Sequence, residues 1–262
     1  MPDHSGEQPV MRVGEERDGP LLILTLDYPA RRNALAPALR AALLGILDRA
    51  EADPSVRAIV ITGGGAHFCS GGDLSGMDVR TPLQGRERLR AAHQMIRLMV
   101  GGSKPVVAAV EGWAAGAGLS LACACDTIVA AEDAQFMAAF GKAGLMADLG
   151  LPHTLPLRVG HARARQILLY GEPIGAEEAL RIGLVDRLAP KGQALAVALE
   201  RARVLAAQAP AAVALTKQIL SEGLHTALDQ ERHYQSLLFL TADHEEGKAA
   251  FFAKRAPNFT GA

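Results

Sequence analysis

The chain has 262 residues, 49% of them apolar and 21% charged, the balance of a globular protein able to bury a large core. Its 27 basic and 28 acidic side chains nearly cancel, which argues against the strongly basic face that a nucleic-acid binder shows. The three cysteines, Cys69, Cys123 and Cys125, fit neither a disulfide framework nor a zinc site, and read as small buried hydrophobes in a reducing compartment.

Residues 1–9 are polar, lack the apolar stretch of a secretion signal and read as a loose tail. Leu21 to Leu26 is a short apolar run before Asp27 and Pro29, the pattern of a buried strand ending in a turn. Pro37 opens a helix to about Ala52 with Leu39, Leu43, Ile46, Leu47 and Ala50 on one face, and Asp53-Pro54 closes it. Ala58 to Thr62 is a second strand, followed by a glycine-rich loop from Gly63 to Gly72. An Arg-rich helix is expected over about Glu87 to Val100, then a strand over Val106 to Val110. A second Gly/Ala turn, Gly112 to Gly118, runs into a small-residue helix to Cys125, and Thr127 to Ala131 is another strand. Strand, glycine turn and helix thus occur twice, and the helical crossovers imply parallel strands and an α/β class.

From about Gly150 the pattern is mostly helical: 151–159, 162–169, 176–182, 194–207, 211–222 and 227–252, with a short strand over Leu184 to Leu188. No low-complexity linker marks a domain boundary. The apolar stretches are too short or too broken to span a bilayer, and a cytoplasmic protein is expected.

Each glycine turn follows a strand and opens onto helix-like sequence. Glycine there allows unusual backbone angles and close approach of a ligand, and the free N–H groups at a helix start face whatever lies above. Two such turns have two readings, tight structural turns or a pair of donors aimed at one oxygen, an oxyanion hole. Neither carries the phosphate-loop spacing. Gly116-x-Gly118 lacks a third glycine at Leu121, so the dinucleotide fingerprint fails. No Gly-x-Ser-x-Gly elbow and no His-Glu-x-x-His is present, and no metal site is expected.

The segments AIVITGGGAHFCSGGDL (Ala58 to Leu74) and KPVVAAVEGWAAGAGLSLACACD (Lys104 to Asp126) resemble the crotonase (enoyl-CoA hydratase/isomerase) superfamily. Arg32 to Leu35, Ala134 to Phe136, Gly175 to Val185 and the ending Phe252 to Phe259 extend the resemblance over nearly the whole chain. It implies a spiral of ββα units over residues 10–200. It also implies a helical region over 201–262 that serves assembly into a homotrimer or homohexamer. The ligand would be an acyl-CoA thioester, with no cofactor beyond the CoA of the substrate and neither nucleic acid nor membrane as partner.

Carried over position by position, the oxyanion donors would be the N–H groups of Gly72 and Ala117, where the family often has glycine at the second. The loop around Arg31 and the segment Ser70, Gly72, Asp73 and Leu74 would wrap the CoA, and Lys254 would reach a CoA phosphate. The stretch Ser75 to Met99, with Met77, Leu83, Leu89, Met95 and Leu98, would line part of the acyl pocket. Hydratases carry two glutamates where this chain has Ser120 and Phe140, neither a general base. Members resembling 1,2-epoxyphenylacetyl-CoA isomerase and Δ3,Δ2-enoyl-CoA isomerases carry an Asp at the position of Asp148, and a single base suits isomerisation. The other reading of Asp148 is a cap on the following helix. Asp73 and Asp126 match positions with turn or core roles. Superfamily membership leaves hydration, or a catalytically weak CoA-thioester-binding protein, as alternatives.

Overall fold

The computed structural model describes residues 11–262, so the tail expected over 1–9 lies outside the described residues. The main sheet has six strands in the order β1 (Arg12–Asp18), β2 (Leu21–Asp27), β3 (Ala58–Gly63), β4 (Val106–Val110), β6 (Thr127–Ala131) and β9 (Arg187–Ala189). In this sheet only β1 runs antiparallel to its neighbour; β2, β3, β4, β6 and β9 are parallel. A second, small sheet joins β5 (Trp113–Ala115), β7 (Gln135–Met137) and β8 (Ile174–Gly175).

The continuous apolar runs of β2, β3 and β4 are those of strands covered on both faces. One face presents Leu22, Leu24, Ile59, Ile61, Ala108 and Val110 to the larger core, shared with α1 (Pro37–Ala52) and α2 (Pro82–Gly101). The other presents Leu21, Val60, Val107 and Val129 to α7 (Ala194–Ala206), whose Ala194, Ala198, Ala202 and Ala206 form an i, i+4 stripe on the sheet.

The remaining helices are α3 (Ala117–Cys123), α4 (Leu151–Val159), α5 (His161–Tyr170), α6 (Ala176–Arg181), α8 (Pro210–Leu220), α9 (Leu224–Leu238) and α10 (Ala242–Ala253). The described region 201–262, expected to serve assembly, also packs on its own chain. α9 lies against α2 so closely that a Cβ on Gly85 would stand 3.0 Å from Ser236. α10 lies on the short 3-10 turn Ala139–Ala143, where His244 Nδ1 meets the Ala143 carbonyl at 2.8 Å.

Several boundaries differ from the sequence reading. β1 lacks an apolar run; it is a half-exposed edge strand whose charged residues (Glu15, Glu16, Arg17) suit an unpaired edge. α2 starts at Pro82 rather than Glu87, because Thr81 caps it by accepting the Gln84 N–H at 3.2 Å. The helix expected over 227–252 is two: Phe239 and Leu240 interrupt it, and Thr241 starts α10 by accepting the His244 N–H at 3.1 Å. The strand expected at Leu184 begins at Arg187. Cys69, Cys123 and Cys125 are free and buried, and burial pushes all three thiols up, Cys69 and Cys123 to about 12.

Candidate active site

The two glycine turns lie side by side because the chain after β3 is threaded between two other segments. Cys69 pairs with β5: its N–H donates to the Trp113 carbonyl and its carbonyl accepts the Ala115 N–H, both at 3.0 Å. On the other side the Leu35 N–H donates to the Gly71 carbonyl at 2.7 Å. Buried Asn33 pins the loop, donating to the carbonyls of Gly64 (2.9 Å) and His67 (2.7 Å) while its Oδ1 accepts the Tyr28 N–H.

Glycine is required at specific points. Gly71 takes φ +119, and Gly116 takes φ +50 with ψ −122, regions closed to other residues. A Cβ on Gly118 would fall 2.2 Å from the Cys69 carbonyl oxygen, so that glycine is what lets α3 seat on the first turn. A Cβ on Gly71 would lie 3.7 Å from the Ala117 nitrogen, a measure of how near the turns come. Ala117 is the first residue of α3, where an N–H has no intrahelical acceptor. Among the described residues neither the Gly72 nor the Ala117 amide donates to another protein group. Both residues line one cleft of about 90 Å³, together with Ser70, Gly71, Leu74, Met77, Gly116, Ala139, Phe140, Ala143, Leu145 and Asp148.

Asp148 is the single carboxylic acid among those lining residues. It does not cap α4: the N-cap is Gly150, at φ +74, with no side-chain cap bond. The Asp148 Oδ2 instead accepts a long bond from Gln235 Nε2 at 3.3 Å, and its Oδ1 is buried without a partner among the described residues. Loss of water contact raises the Asp148 carboxyl to about 7, with nearby Glu231 adding to the rise. The Gln235 bond and the guanidinium groups of Arg40 and Arg88 oppose it. Burial in turn pulls Arg40 down, and Arg88 down to about 10. A carboxyl poised near neutrality, in a cleft with two free amide donors, can take a proton from a carbon acid and give it back.

Of the other expected site residues, Ser70 and Leu74 line the cleft, and Ser70 Oγ donates to the Arg31 carbonyl at 2.8 Å, tying that loop to the rim. Asp73 turns to its own backbone, accepting the Ser75 N–H and hydroxyl at 3.0 and 2.6 Å. Lys254, exposed at the end of α10 with φ +52, is not among the lining residues. Asp126 is exposed on the turn before β6, where its carboxylate accepts the Val106 N–H and pairs with the buried Lys217, a turn role. Of the stretch expected to line the acyl pocket, Met77 reaches the cleft and Leu89 packs beneath it with Leu145 and Phe239. Met95 belongs to the main core, Leu98 packs half-buried against it, and Leu83 is 77% exposed, so none of the three reaches the cleft. Phe140 lines the cleft as an apolar wall, whereas Ser120 is buried behind it and directs its hydroxyl toward the Gly116 carbonyl.

Glu231, Gln235, Arg40 and Arg88 escaped the sequence reading. They lie on helices whose amphipathic pattern says only that they face inward, and their meeting at Asp148 is tertiary. A Glu and a Gln one helical turn apart on the apolar side of α9 were the available signal.

Comparison with known proteins gives one consistent result. A family model described as enoyl-CoA hydratase/isomerase matches residues 16–262. The chain is similar to 1,2-epoxyphenylacetyl-CoA isomerase of Escherichia coli K12, 37% identical over 92% of this chain and 95% of that protein. It is also similar to a probable enoyl-CoA hydratase of Rhodobacter capsulatus, 42% identical over 92% and 95% of the two chains. Among solved structures, an enoyl-CoA hydratase/isomerase from Pseudoalteromonas atlantica T6c superposes with a TM-score of 0.85 at 31% identity, covering 95% of this chain and 99% of the other.

Proposed function

The chain belongs to the enoyl-CoA hydratase/isomerase family, an enzyme of the crotonase fold, and from that premise we propose that it isomerises the double bond of an enoyl-CoA, or an acyl-CoA carrying a ring epoxide, with Asp148 as the base. The observation that carries this reading is the single cleft acid, Asp148, facing the same space as the free amides of Gly72 and Ala117. The thioester oxygen accepts from both amides, which stabilises the charge that gathers there when a neighbouring C–H is broken. For an enoyl-CoA, Asp148 takes the α or γ proton, the electron pair delocalises into the thioester as a dienolate, and the proton returns to the other carbon. Atoms balance with no water added.

CoA enters with the substrate, along Ser70 and Leu74, with Arg31 beside Ser70 and Asp73 shaping the turn; Lys254 belongs to the same proposal as a phosphate contact. The acyl group lies against Met77, Leu145 and Phe140. Hydration is the second reading, favoured by the name of the Rhodobacter relative. Against it stands the apolar Phe140 and the sequestered Ser120 where two-carboxylate hydratases place their acids. Purified enzyme given cis-3-enoyl-CoA and trans-2-enoyl-CoA separately decides between them. A product of unchanged mass supports isomerisation, and a gain of one water supports hydration.

We also propose assembly as a homotrimer or homohexamer. Leu169 and Tyr170 on α5, Leu215, Ile219 and Leu220 on α8, and Phe251 and Phe252 on α10 are large apolar side chains left exposed on the single chain.

A further inference from the structure

Asp148 is followed by a turn that the chain would not adopt by itself. Leu149 takes φ +54 and Gly150 φ +74, and for leucine the left-handed region is held only where the surroundings over-determine it. The determining group is Glu231 on α9, which is 2% exposed. Its Oε1 accepts the Leu149 N–H at 2.7 Å and its Oε2 accepts the Gly150 N–H at 2.8 Å. Across from it, His93 Nε2 on α2 meets Oε1 at 2.7 Å. One carboxylate therefore grips both amides that come directly after Asp148, and α2 braces it from behind.

We propose that Glu231 is a positioning residue for Asp148, acting through the Leu149–Gly150 backbone and through its own negative charge; this rests on the reading of Asp148 as the base. Glu231 does not line the cleft, so it acts on the site only through Asp148. The amides need only two acceptor oxygens, yet a buried carboxylate supplies them. A neutral Gln has one acceptor to offer two donors, and a buried charge is costly unless it is used. The groups facing Asp148 are Glu231 and Gln235 from α9, Arg40 from α1 and Arg88 from α2. Of these only Glu231 is an anion. It opposes the two guanidinium groups, so that Asp148 holds a proton less loosely than the arginines alone would allow. His93 faces Glu231 rather than Asp148.

The test follows the Asp148 carboxyl by carbon-13 NMR titration of the full-length protein, the resonance being assigned by its loss in Asp148→Asn. In Glu231→Gln the midpoint is expected to fall by about one pH unit, as when a like charge is removed from beside a carboxyl. The acid limb of kcat should move down with it, while KM changes less than kcat. An unmoved midpoint overturns the proposal whatever reaction the enzyme catalyses. A lowered midpoint in a protein whose Asp148→Asn variant keeps full turnover upholds the action of Glu231 on Asp148 and removes the base assignment instead. Should Glu231→Gln fail to fold, Glu231→Asp retains the charge and shortens the grip. Its kcat should fall with the midpoint within about half a unit of wild type, and an unchanged kcat or a midpoint lowered by a full unit overturns the proposal.

Discussion

Asp148→Asn is expected to lower turnover and raise stability together. The carboxyl stands at about 7 in the folded protein against an ordinary value of 3.8, chiefly because it is desolvated. A raised carboxyl adds nothing unfavourable below pH ~4, where both folded and unfolded chains carry the proton. Between pH ~4 and ~7 the unfolded chain ionises first, and the folded state loses stability progressively. A shift of roughly three units corresponds to about 4 kcal/mol at most, and the partial exposure of Asp148 brings the expected loss to about 2–4 kcal/mol above pH 7. Asn has the same shape, still accepts from Gln235 and does not ionise, so it escapes that loss. Urea unfolding of the two proteins at pH 4 and pH 8 should therefore give similar midpoints at pH 4 and a more stable Asn variant at pH 8. Turnover on the isomerised substrate should fall about 10²–10⁴-fold, the contribution of a general base. A variant that turns over normally refutes the base. A stability difference of equal size at both pH values refutes the account of the carboxyl's environment.

Three further outcomes are expected. Gly72→Pro removes one oxyanion donor and should cost at least about 10² in kcat per folded molecule; normal activity would place the hole elsewhere. Gly118→Ala drives a methyl to within 2.2 Å of the Cys69 carbonyl, and should destabilise by about 3 kcal/mol or more in thermal or denaturant unfolding, since that contact is to backbone that cannot yield. Light scattering at micromolar concentration should report three or six copies, and a stable monomer would count against the assembly.

The parallel strands and the first helices were legible because burial on both sheet faces leaves uninterrupted runs such as Leu21 to Leu26, and because Pro37 and Asp53-Pro54 punctuate α1. The two turns were legible as glycine clusters after strands, but not as neighbours. Their contact depends on the pairing of Cys69 with β5, a three-residue strand with no apolar alternation of its own. The resemblance supplied Gly72, Ala117 and Asp148 as a set, and the fold places all three on one cleft. The sequence left Asp148 between base and cap; the backbone removes the cap, because the N-cap of α4 is Gly150, two residues later and left-handed. β1 carries no hydrophobic pattern to mark it, and the start of α2 is marked only by the cap pair Thr81-Pro82. The break at Phe239 has a weaker signal, a threonine inside a run of good helix formers.

The cleft is built from two kinds of material. Its amide donors come from backbone locked between β5, Asn33 and α3, where Gly118 leaves no room for a methyl and Gly71 and Gly116 hold positive φ. Its apolar side comes from side chains on short surface turns, Leu74 and Met77 on one and Phe140 and Ala143 on the other. On the proposed placement of the substrate, substitutions at Met77 and Phe140 would reshape the space for the acyl group without moving a donor atom. If the proposed site holds, the scaffold separates what activates a thioester from what chooses among thioesters, and mutation can explore new acyl groups while the activating half is inherited unchanged.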